Sequence, residues 1–142
     1  MKSALKPGGY IELQDVHELN CYDNEDWSKT ALYQWWDLVT KGFDALGRSM
    51  NASGKHKERM IDAGFEDVKE EVFKWPVGTW PKDKKMKELG LWSRENTIDA
   101  LEGLAMGPLT RQMNWSAEEV KVMCAKARTD IKNPAIHSYF CM

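Results

Sequence analysis

LKPGGYIELQDV, residues 5–16, carries the strongest fold signal in the chain. Pro7-Gly8-Gly9 is a turn sequence, because proline presets φ at one corner and glycine accepts the positive φ of the next. The turn feeds a short β-prone run in which Tyr10, Glu12 and Gln14 alternate imperfectly with Ile11, Leu13 and Val16. Turn plus run predicts a strand over residues 10–16. A turn of this kind joins an earlier element to a strand, so the stretch reads as the middle of a fold. Polar residues gather at the carboxyl end of the run: Gln14, Asp15, His17 and Glu18. In an open α/β sheet that end is where ligands bind.

Working outward, residues 18–26 are polar and turn-rich. Leu32, Trp35, Trp36, Val39, Phe43 and Leu46 then recur at spacings of three and four, which predicts an amphipathic helix from about Trp27 to Leu46, stopped at Gly47. A polar loop, SMNASGK, leads to a short helix, HKERMIDAG, closed by Gly64. FEDVKEEVFKWPVG follows as a helix-to-strand unit ended at Pro76, with the strand over residues 67–75. From Pro81 the chain is basic and helical. Lys82, Lys84, Lys85 and Lys87 form a solvated face, with Met86, Leu89 and Trp92 opposite. Ser116 and Glu119 form a capping box ahead of a stripe of Val120, Met123, Ala127 and Ile131. After Asn133-Pro134, AIHSYFCM reads as a strand over residues 136–142. The order is α/β or α+β, with helices inserted between the last two strands.

The bulk composition fits one soluble domain of 142 residues. Twenty basic against 22 acidic residues leave a net charge of −2, which gives no general affinity for nucleic acid. No apolar run approaches bilayer length, and no signal sequence opens the chain. Three cysteines without a CxxC pair fit a reducing compartment, cytoplasmic or nuclear. His17 and Cys21, four apart, would share a helical face, but two ligands do not make a zinc site, so no metal is expected. Seven tryptophans and eight methionines fill cores or line apolar pockets.

LKPGGYIELQDV, ERMIDAGFEDVKEEVFKWPVGTWPKDKKMKELG, NWSAEEV and NPAIHSYF together resemble the carboxyl-terminal half of class I S-adenosylmethionine-dependent methyltransferases. The resemblance is to the fungal group of LaeA-like regulators and secondary-metabolite methyltransferases. It implies a partial Rossmann-like sheet: residues 10–16 as the fifth strand, 67–75 as the sixth and 136–142 as the seventh. The last two would be adjacent and antiparallel in one mixed sheet, with the helical insertion between them. The sequence contains no GxGxG, the loop with which the family holds its cofactor. Residues 1–142 therefore read as a single methyltransferase-like domain fragment without the amino-terminal cofactor-binding half, not expected to bind S-adenosylmethionine tightly alone.

Place in the fold and side-chain chemistry supply candidate site residues. Glu12, Gln14 and Asp15 would face a small-molecule acceptor, or serve as ordinary polar residues at a strand exit. His17 would be a general base for an acceptor hydroxyl, or a plain surface histidine. Trp36 and Trp80 would line an apolar acceptor pocket, although helical spacing favours core packing for Trp35 or Trp36. Three functions stand open: a methyltransferase-like protein inactive alone, a non-catalytic interaction module, and a scaffold recruited to another secondary-metabolite reaction. An unpaired edge of the fifth strand and an apolar helix face left partly open predict a homodimer or a complementing chain.

Overall fold

In the computed structural model of the chain, residues 5–22 and 26–142 are described. The opening turn forms as its sequence requires. Gly9 N–H donates to the Lys6 carbonyl at 2.9 Å, and Gly8 takes φ 78°. Residues 10–16, however, form no strand. Among the described residues no backbone–backbone hydrogen bond joins them to a neighbour, and Tyr10 is 96% exposed. A β-prone run becomes a strand only when a second strand takes up its N–H and C=O groups. Here the ladder starts later, at β1, Glu18–Cys21.

The other two strands are β2, Lys74–Pro76, and β3, Ser138–Cys141. Their order is β1-β3-β2, with β3 antiparallel to both neighbours. The sheet is antiparallel throughout, which corrects the expectation of a mixed sheet. The last two strands are adjacent and antiparallel as the sequence suggested. The strand expected over residues 67–75 shrinks to β2, extended only by the reciprocal pair of Phe73 with Met142, at 2.9 and 2.8 Å. Glu66, Lys69, Glu70 and Glu71 crowd that run with charges and leave it extended and exposed.

Four helices complete the described α/β fold: α1, Ala31–Ala45; α2, His56–Asp62; α3, Lys84–Gln112; and α4, Ala117–Lys132. Each long helix starts on a side-chain cap. Thr30 accepts from Tyr33 N–H, Asp83 from Met86 N–H, and Ser116 forms the predicted capping box with Glu119. Asp130 on α4 adds a second cap across the fold, accepting from Leu32 N–H at 3.0 Å. Leu32, Trp35, Trp36 and Val39 are buried against Leu101, Ala105 and Leu109 of α3 and Val120, Cys124 and Ala127 of α4. The apolar face of α1 is therefore closed over most of its length by the helices inserted between β2 and β3, and the part expected to lie open is confined to its carboxyl end. Leu46, just past the helix, remains 40% exposed.

Two glycines set the closest approaches. A Cβ on Gly42 would stand 2.7 Å from Cβ of Pro108, so α1 and α3 cross where α1 has no side chain. A Cβ on Gly90 would stand 2.0 Å from the Gly78 carbonyl oxygen, and Gly78 N–H donates to the Gly90 carbonyl at 2.9 Å. That contact ties the exit of β2 to α3. The amino-terminal half of α3 is less buried than its sequence suggested, with Met86 and Trp92 at 38% and 67% exposure.

Candidate functional site

Beyond β1 and β2 the chain opens a cleft of about 780 Å³. One wall is residues 11–15 with His17, and the other is residues 68–73 with Trp75. Met142, just past β3, stands between them, and α2 with the tight helical turn Ala52–Lys55 closes one side. Leu13, Val72, Phe73 and Trp75 make the walls apolar and remain 41%, 64%, 57% and 39% exposed.

Four of the six residues singled out in the sequence meet here: Glu12, Gln14, Asp15 and His17 all line the cleft. Gln14 donates to Glu12 at 2.6 Å, so these two side chains hold each other along one wall. His17 packs on the Ala52–Lys55 turn. A Cβ on Gly54 would stand 2.6 Å from His17 Cε1, so only glycine leaves room for the ring there. Ser53 Oγ donates to the Val16 carbonyl at 3.0 Å and lies 3.5 Å from His17 Nδ1. His56 Nε2 lies 3.5 Å from Asp15 Oδ2. At that length and exposure the pair orients the side chains more than it stabilises the fold.

The two tryptophans lie elsewhere. Trp36 is a core residue, 7% exposed, with its ring 5.6 Å from Phe140, so it supports β3 from beneath and does not reach the cleft. Trp80 donates from Nε1 to the Ser138 carbonyl at 3.0 Å and stacks on His137 at 5.0 Å. It borders a separate groove of about 300 Å³ with Tyr22, Lys74 and Tyr139. Lys74 Nζ lies 4.6 Å from the Tyr22 ring and 5.0 Å from the Tyr139 ring, and its interaction with Tyr22 raises its pKa above the ordinary lysine value. The groove thus already holds a cation of the chain itself.

Cys21 sits in β1, so His17 and Cys21 are separated along an extended backbone, about 13 Å at strand rise, and do not share a helical face. Among the described residues no group of three His, Cys, Asp or Glu side chains could hold a metal ion. Ser53, Gly54 and His56 were not legible as site residues. SGKH carries no motif, and only the return of this turn onto His17 brings it to the cleft.

Class I methyltransferases hold the cofactor with a glycine-lined loop; among the described residues the one glycine lining the cleft is Gly54, which the His17 ring covers.

No family model matches the chain. No solved structure matches it. Curated relatives do. The chain is 30% identical over 139 residues to methyltransferase pytC of Aspergillus terreus, covering 96% of this chain and 42% of that protein. It is 30% identical over 138 residues to secondary metabolism regulator laeA of Fusarium oxysporum f. sp. lycopersici, covering 95% and 44%. Probable methyltransferase tdiE of Emericella nidulans is 27% identical over 139 residues, covering 97% and 44%. The chain thus spans less than half the length of the curated relatives it matches. No helix among the described residues is long and apolar enough to cross a membrane.

Proposed function

We infer, for a chain homologous along almost its whole length to fungal methyltransferases of the LaeA-like group, that it supplies the acceptor-side sheet edge of a class I methyltransferase fold and is inactive alone. The observation that carries this is the extent of the match: at least 95% of this chain against 42% to 44% of each relative. In this reading β1, β3 and β2 correspond to the fifth, seventh and sixth strands, and α3 with α4 is the helical insertion. Glu12, Gln14 and Asp15 contact the methyl acceptor. His17 takes the acceptor's proton, with its ring oriented by Ser53 and seated on Gly54. The rest of the work is positioning. S-adenosylmethionine is the cofactor of the lineage, and this chain alone is not expected to hold it.

Calorimetry with S-adenosylmethionine tests the reading first: the 142-residue chain should show no saturable binding, and micromolar affinity would overturn it. Co-expression with the remaining part of the Fusarium relative is the second arm. Methyl transfer from labelled cofactor should appear only in the mixture and fall about a hundredfold with His17→Gln, within the usual range for a lost general base.

A second reading, a non-catalytic module that associates with itself or a complementing chain, is favoured by the exposed apolar walls at Leu13, Val72, Phe73 and Trp75. Light scattering that shows only a 16.4 kDa monomer at every concentration and with every candidate partner would remove it.

A further inference from the structure

The groove that Trp80 borders shares no residue with the cleft. Phe140 faces Trp36 of α1, so Tyr139, its neighbour in β3, points to the opposite face of the sheet. Tyr22, just past β1, and Lys74 of β2 line the groove beside it, and the chain from Trp80 to Met86, leading into α3, forms the far wall. The Tyr22 ring lies 4.4 Å from the Tyr139 ring and 5.6 Å from the Trp80 ring, edge-on to the latter. The walls are held in place by the fold itself. Tyr139 is 9% exposed, Trp80 is fixed by Ser138 and His137, and the Gly78–Gly90 contact anchors the stretch that joins β2 to Trp80. Tyr22 and Met86 keep 48% and 38% of their surface open for a ligand to cover. A site formed in advance spends little binding energy on ordering.

An aromatic enclosure of this kind commonly takes a cation. Here the chain's own Lys74 fills that place over the Tyr22 and Tyr139 rings, so a cationic ligand is repelled. Lys82 adds a second ammonium group to the lining. Among the described residues neither lysine has a carboxylate within ion-pair distance. The one acid lining the groove, Asp83, caps α3 by accepting from the Met86 N–H at 3.0 Å. It offsets one of the two positive charges and leaves the other for a ligand. The groove, at about 300 Å³, stands at the small end of ligand sites, which run from about 300 to 1,000 Å³.

We propose that this groove is a binding site for small aromatic carboxylates. The ring of the ligand packs on Tyr22, Trp80 and Met86, and its carboxylate takes charge-assisted hydrogen bonds from Lys74 and Lys82. A monoanion matches the single uncompensated charge, so a phosphate dianion, with no ring to offer the aromatic wall, binds less well. The site uses neither the cleft nor His17, so it does not depend on the methyltransferase reading.

The probe is benzoate, titrated into the full 142-residue chain and followed by NMR at the Trp80 indole N–H and the amides of Tyr22, Lys74 and Met86. Saturable shifts are expected there, with a Kd on the order of a millimolar for so small a ligand, while the amides of α4 stay unchanged. Benzamide keeps the ring without the charge and should bind about tenfold more weakly. Cyclohexanecarboxylate keeps the charge without the aromatic face and should bind about threefold more weakly. Lys74→Gln and Lys82→Gln change exposed side chains. Each should weaken benzoate about fivefold, with the thermal midpoint verifying that the fold is kept. The proposal falls if benzoate gives no saturable shift at Trp80, or if benzamide or cyclohexanecarboxylate binds as well as benzoate. It falls equally if inorganic phosphate matches benzoate at the same residues, or if both folded lysine variants bind as the parent does.

Discussion

The helical layer and the walls of the cleft are built from similar apolar residues and end in opposite states. Trp35 on α1 is 1% exposed, its indole N–H bonded to the Leu101 carbonyl at 3.2 Å, while Trp75 at the cleft is 39% exposed. Val39 is fully buried, and Val72 is 64% exposed. The difference is the partner. A helix satisfies its own backbone and needs only a neighbour for its face, and α1 finds two in α3 and α4. A β-prone segment needs a neighbouring strand for its backbone as well, and among the described residues no strand pairs with residues 11–16 or 68–72. Apolar composition sets what a segment can bury. The presence of a second element with matching donors and acceptors sets whether it does.

The same contrast explains which parts of the fold were legible in the sequence. Helix periodicity, the Ser116 cap and the stops at Gly47 and Gly64 are local signals, and all three appear at their places: Gly47 and Gly64 take φ 70° and 77° past the ends of α1 and α2. The turn at Pro7-Gly8 is equally local. Strand limits are not, because pairing depends on segments far apart in sequence, as in Glu18 with Cys141 and Lys74 with Cys141. β1 therefore begins at Glu18, after the run that looked most strand-like. Four site residues followed from their place at the end of that run. Trp36 and Trp80 were misplaced because an aromatic on a helix or loop does not reveal which surface it meets. Ser53 and His56 reach the cleft only through the tertiary path of an unremarkable loop.

The comparison is sharpest if its two sides respond differently to the same kind of change. Trp35→Ala should produce the largest effect, a loss of about 3–5 kcal/mol from the cavity it leaves among the three long helices. Urea unfolding would show the midpoint fall. A loss under 1 kcal/mol would mean that the helical layer is as loosely packed as the cleft.

Cysteine chemistry probes the same layer without mutation. Cys124 is fully buried, and burial pushes its thiol up to about 11, with Glu102 adding to the rise. At pH 8 its thiolate population is on the order of one in a thousand. Iodoacetamide should therefore label half-buried Cys21 and spare Cys124 in the folded chain, whereas in urea all three cysteines should react. Rapid native labelling of Cys124 would show that α3 and α4 separate readily.

A smaller effect is expected at the start of α4. Ser116→Ala removes a cap worth about 1 kcal/mol. Glu119 accepts from both Ser116 N–H and the Ser116 hydroxyl at 2.8 Å, and these bonds hold its carboxyl below the ordinary value of 4.5. A lowered folded-state pKa stabilises the fold above pH 4.5, and that contribution is lost as pH falls through the folded value. The variant should therefore differ most from the parent at neutral pH, and the gap should narrow in acid to the share of the Glu119 N–H bond to the Ser116 hydroxyl, which does not titrate. A gap that stays constant down to pH 2 would mean that the carboxylate has no share in the cap.

The smallest effect belongs to the cleft wall. Full burial of a valine side chain stabilises a fold by about 1.5–3 kcal/mol, but Val72 keeps nearly two thirds of its surface in water, at 64% exposure. Val72→Thr exchanges one β-branched shape for another and should shift stability by less than about 0.5 kcal/mol in the chain alone, as exposed substitutions do. A loss above 1 kcal/mol would show that the wall is already packed.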